Sequence, residues 1–161
     1  MLSIIGVTPA RVFWVVFFVL AVWLQLFFPG TDFFAPGVVL CLQRERFSHV
    51  LALILPALLI QEGTGALVFG AGLLRYGGLI GMFLVGRGLF EARSPVFILL
   101  LAAAFSLAQM IILHTMAGLQ SMDIQGQRLL LESLTMFATI ILGWWLLDAV
   151  YRFISRHASQ S

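Results

Sequence analysis

The chain has 161 residues, 61% of them hydrophobic and only 10% charged. A soluble domain carries about 25% charged residues, so this composition excludes a mainly water-facing surface, and five or six apolar helices of about 20 residues each leave no length for a separate soluble domain. All nine basic residues are arginine, and the net charge is only +2, without the basic cluster or stripe that a nucleic-acid surface needs.

The chain reads as a single integral membrane domain, residues 1–161, of six helices. A short lead ends in Thr8-Pro9, a cap and first-turn pair, and the first span covers about residues 9–28. Its apolar run exceeds the core of a signal peptide and no small-residue cleavage site follows it, so it reads as a retained helix. Pro29-Gly30-Thr31-Asp32 is a turn. The second segment, 33–42, is about half a bilayer long and contains Pro36-Gly37. It is either a short buried helix or a re-entrant one, and the buried helix is preferred because it returns Arg44 and Arg46 to the side of Arg11.

The third helix, 47–60, contains Pro56, which removes a backbone hydrogen bond. A polar break at Gln61-Glu62-Gly63-Thr64-Gly65 leads into the fourth helix, 65–86. Together they form a hairpin whose two ends carry Arg44, Arg46, Arg87 and Arg93. The turn Glu91 to Pro95 offers Ser94 as a cap and Pro95 as a first helical residue. The fifth helix runs over 95–117, thinned by Ala102-Ala103-Ala104 and Ser106. The longest polar loop follows, with Asp123, and the sixth helix covers 128–153. With six crossings and the N-terminus inside, seven arginines share the inner side, as the positive-inside rule expects. Both termini are then cytoplasmic.

Arg75 is the most informative position, because a cation inside an apolar helix must pair, snorkel or line a polar cavity. Glu132 and Glu62 are its candidate partners. On the sixth helix Glu132, Thr135, Thr139 and Gly143 share one face expected to point into the bundle, and Gln109 on the fifth helix extends this set. Three uses remain open for it: a closed structural polar network, a cavity for a ligand or lipid headgroup, and an interface to a partner's helix. On the fourth helix Gly70, Gly77, Gly81 and Gly88 fall on one face, with Gly77 and Gly81 in the small-x-x-x-small spacing that lets backbones approach closely. Packing within the chain is the preferred use of that face, and a partner subunit is the alternative.

Cys41 is alone, so it reads as a small apolar residue and makes no internal disulfide. His49, His114 and His157 do not converge under this topology, and no ligand spacing points to a metal. The aspartates sit at helix ends or loops, with Asp148 four residues before Arg152 in ion-pair spacing. Trp144, Trp145 and Tyr151 make an aromatic anchor at the inner interface. No motif demands catalysis, and no cofactor is expected.

The half-length segment after Phe33-Phe34-Ala35-Pro36-Gly37, the Arg44-Glu45-Arg46 junction, the break at Gln61-Glu62-Gly63-Thr64-Gly65 and the exit at Arg87 to Arg93 together resemble the MreD family of rod shape-determining membrane proteins. The resemblance covers most of the chain. It implies an all-α bundle of six transmembrane helices related to the substrate-binding components of vitamin transporters. It also implies a non-enzymatic role in the bacterial inner membrane, binding a membrane-anchored MreC-like protein and, through it, cell-wall synthases. The residues alone leave open a small-solute or lipid-binding transport component, or an accessory subunit of another complex.

Overall fold

The computed structural model describes residues 9–28, 31–44, 47–63, 70–92, 94–119 and 126–158. Six helices and no strand occur among them: α1 (Pro9–Phe27), α2 (Ala35–Arg44), α3 (Phe47–Gly63), α4 (Ala71–Leu89), α5 (Pro95–Leu119) and α6 (Gly126–Ala158). The Pro95–Ile112 part of α5 and the Leu130–Arg156 part of α6 are long and apolar enough to cross a membrane, while Arg11–Phe27 and Phe47–Gly63 are shorter apolar helices. Thr8, the Pro29-Gly30 half of the first turn, residues 64–69 and Asp123 lie outside the described residues. Helix α4 begins at Ala71, so Arg75 belongs to its second turn and not to the middle of a helix that starts at Gly65.

The short helix is the centre of the bundle. Every residue from Ala35 to Cys41 is buried, and α2 packs against α3, α4 and α6, while α6 also meets α1 and α5. Its start is dictated locally. The Asp32 carboxylate accepts the backbone N–H of Phe34 at 2.9 Å, satisfying a donor that the first turn cannot use, and Pro36 follows in that first turn, where its missing N–H costs nothing. A helix so central must be approached closely. Gly37 lies under the Phe17 ring of α1, and Gly143 of α6 lies under the Pro36 ring.

The far end of α2 is tied by its polar residues. Gln43 donates to the Ala92 carbonyl between α4 and α5 and accepts the indole N–H of Trp144 at 2.8 Å. Trp144 is therefore buried against α2, and of the expected tryptophan pair only Trp145 is exposed. Replacing Trp144 by Phe should cost about 1 kcal/mol, the net worth of one such bond. Equilibrium unfolding in mixed detergent–dodecyl sulfate micelles measures it.

Candidate functional site

Two polar layers flank α2, about 15 Å apart at 1.5 Å per residue. The first is built on Asp32, wholly buried at the head of α2. The Tyr76 hydroxyl donates to Asp32 Oδ1 at 3.0 Å. Gln61, in the last turn of α3, donates through Nε2 to the Tyr76 oxygen at 2.9 Å, with Asp32 Oδ1 and Gln25 Oε1 each 3.4 Å away. Arg75 lies beside them with Nη1 3.7 Å from Asp32 Oδ2, and its Nε donates to Gln109 Oε1 of α5 at 3.2 Å. Thus α1, the turn after it, α3, α4 and α5 all send a polar group to one place.

The charges in this layer are one carboxylate and one guanidinium, and the pair is loose. Asp32 Oδ2 makes no hydrogen bond among the described residues and faces Arg75 beyond hydrogen-bonding distance. A buried carboxylate is held by the cation beside it and by donors to its oxygens; here Oδ1 takes the donors and Oδ2 the charge. The layer therefore fixes geometry through Oδ1 and balances charge through Oδ2.

The second layer closes the other end of α2. Asp148 of α6, buried, is shared by Arg44 of α2 and Arg152 of α6. Arg44 also lies 5.0 Å from the centre of the Tyr151 ring, which meets the ring of Phe13 edge-on at 5.3 Å. The expected Asp148–Arg152 pair is thus one half of a three-residue bridge that pins α2 to α6 beside α1.

Of the residues singled out from the sequence, Arg75 and Gln109 come together. Arg75 pairs with Asp32 rather than with Glu132 or Glu62. Glu62 instead accepts the N–H of Gly70 at 3.1 Å. Glu132 is half-buried on α6. Thr135 is exposed and donates to the Leu131 carbonyl at 2.6 Å, and Thr139 donates to the Thr135 carbonyl at 2.7 Å. Their hydroxyls are satisfied by their own helix; of the face expected to point inward, Thr135 is exposed, Thr139 is half-buried and Gly143 packs under the Pro36 ring.

The glycine face is corrected too. A Cβ built on Gly77, Gly81 or Gly88 meets nothing within 4 Å, so that face points away from the bundle. The inward face of α4 carries Gly72, Tyr76, Leu79 and Phe83. There Gly72 makes room for Leu58 and Glu62, and one turn beyond Phe83, Gly86 makes room for Phe97. Gly70 has a distinct use, since its φ of 86° is the left-handed conformation that lets the chain enter α4.

Asp32, Gln61 and Tyr76 were not singled out from the sequence. A signal for Asp32 existed: a ten-residue helix with one end at the arginine side places its other end inside the bundle, so a residue just before that end is buried with it. Cys41 is buried within α2 and His49 is exposed, while the side chains of His114 and His157 lie outside those described. The chain matches no family model, no curated protein and no solved structure.

Proposed function

We propose that this chain is a non-enzymatic membrane scaffold: a six-pass subunit of the bacterial inner membrane with both termini cytoplasmic, serving the rod-shape and cell-wall elongation machinery to which its resemblance to the MreD family points. The observation that carries the reading is the use made of the buried polar groups. Asp32, Gln61, Tyr76, Arg75 and Gln109 bind one another across helices, and at the other end of α2 Gln43 binds Trp144 and Arg44 binds Asp148. A bundle locked in this way offers a rigid outer surface. The six-pass reading is supported by α2, which is too short for lipid and whose Ala35–Cys41 segment is screened from it by neighbouring helices.

The partner is a membrane-anchored MreC-like protein, and the surface assigned to it is the outward face of α4, where Gly77 and Gly81 let a second helix approach closely. Purification of the tagged protein from its native host in mild detergent, followed by mass spectrometry, should recover an MreC-like protein and wall synthases. A Gly77→Leu/Gly81→Leu variant should reduce that recovery by about tenfold, the equivalent of about 1.4 kcal/mol, while the bundle stays folded. Recovery of an ATPase pair or a redox complex instead would sink the reading.

A second reading, a small-solute or lipid-binding transport component, is favoured by one observation, the buried Asp32 Oδ2 that makes no hydrogen bond beside Arg75. A ligand that co-purifies with the wild type and is lost from a folded Arg75→Leu variant would select it.

A further inference from the structure

The outward surface of α6 changes character along its length. Trp145, Ala149, Arg152 and Arg156 follow i, i+4, i+7, i+11 spacing, and all four are exposed. Extended back by one and two turns, the same stripe holds Leu142 and Ala138, also exposed. One continuous line on the helix therefore runs from apolar to aromatic to cationic. Helix α6 has 33 residues, about 50 Å at 1.5 Å per residue, against a hydrocarbon core of about 30 Å. If it crosses a membrane, its last turns extend into the headgroup layer, and Trp145 lies near the boundary where tryptophans anchor.

Among the described residues at this end, arginines outnumber carboxylates. The described residues that cluster at the start of α1, the ends of α2, α4 and α6 and the approach to α5 include Arg11, Arg44, Arg87, Arg152 and Arg156, against Glu91 and Asp148. Asp148 is already divided between Arg44 and Arg152. That division does two things. It fixes the Arg152 guanidinium at the helix surface, with 59% of the side chain exposed, and it leaves two guanidinium groups sharing one carboxylate. Guanidinium donors not used by Asp148 match phosphate oxygens in geometry as well as charge.

We propose that this stripe seats one anionic phospholipid, its phosphate on Arg152 and Arg156 and an acyl chain along Trp145, Leu142 and Ala138. The excess of arginine selects a headgroup with net negative charge over a zwitterionic one. The site lies at the Arg44 end of α2, opposite the Asp32 layer. It rests on the membrane reading but not on the scaffold role.

The test is native mass spectrometry of the full chain released from bilayers of equal phosphatidylglycerol and phosphatidylcholine. Retention of one phosphatidylglycerol in preference to phosphatidylcholine is expected, falling by about fivefold for each arginine removed in Arg152→Gln and Arg156→Gln. Arg87→Gln, at the same end but on α4, should retain it. Arg156→Gln keeps the test decisive should Arg152→Gln disturb the Asp148 bridge and the fold. Equal retention of both lipids, or phosphatidylglycerol retained undiminished in Arg156→Gln, overturns the proposal. So does displacement of the lipid by millimolar inorganic phosphate, which would make the site one for free phosphate. Resistance of the protein to alkaline extraction reads the membrane assignment separately, so failure of that assignment and failure of the lipid site are distinguishable.

Discussion

Asp32→Ala should destabilise the bundle by about 3–5 kcal/mol, the cost of breaking a buried ion pair by removing one partner. The substitution strands Arg75, whose side chain is 11% exposed, and removes the acceptor for the Tyr76 hydroxyl and the Phe34 N–H. Asp32→Asn separates these effects. Its amide oxygen still accepts both bonds, so only the charge is lost, yet Arg75 remains buried without a counter-ion and most of the destabilisation should persist. Arg75→Leu alone should cost about as much, by leaving the carboxylate uncompensated. The double variant Asp32→Asn/Arg75→Leu removes both charges and should recover to within about 1–2 kcal/mol of the wild type, since an apolar replacement of a buried pair is often near neutral. Unfolding titrations of all four proteins give the coupling directly. Additive losses, with the double variant as poor as the sum of the singles, would mean that Arg75 and Asp32 do not act as a pair.

This pair also marks the limit of what the residues declared in advance. The six helices were legible from apolar runs punctuated by Pro-Gly, Glu-Gly and Ser-Pro, because the hydrophobic stretches are long and the breaks are chemically unambiguous. Arg75 was legible as a residue needing a partner. The partner was not, because Asp32 sits in Pro-Gly-Thr-Asp, a string whose composition belongs to surface turns. Burial of Asp32 follows from the length of α2 and from the helices around it, which are tertiary facts. The threonines of α6 misled for the opposite reason. A hydroxyl can be satisfied by the carbonyl one turn back, so a row of threonines does not report which way the helix faces. Asp148 was half legible: its i+4 arginine is local, whereas Arg44 lies 104 residues away in sequence.

The glycines supply the second large expectation, in which one kind of substitution changes sign with position. Gly143→Ala should destabilise by about 1–3 kcal/mol, the range for overpacking, because its new methyl would lie 2.7 Å from Pro36 Cγ and 2.9 Å from Pro36 Cβ. The proline ring is fused to the backbone of α2 and cannot rotate aside, so α2 and α6 must separate. Gly37→Ala meets the Phe17 ring at 2.2 Å. That ring is buried, and moving it disturbs the contact between α1 and α2. Gly77→Ala and Gly81→Ala meet nothing within 4 Å, and each should stabilise by about 0.5–1 kcal/mol by removing a flexible residue from a helix interior. The same unfolding titration ranks all four. Losses at Gly77 and Gly81 equal to that at Gly143 would place the outward glycines inside the packed bundle. The expected opposite signs mean that the close approach at α2 belongs to the fold, whereas the outward glycines of α4 take no part in it.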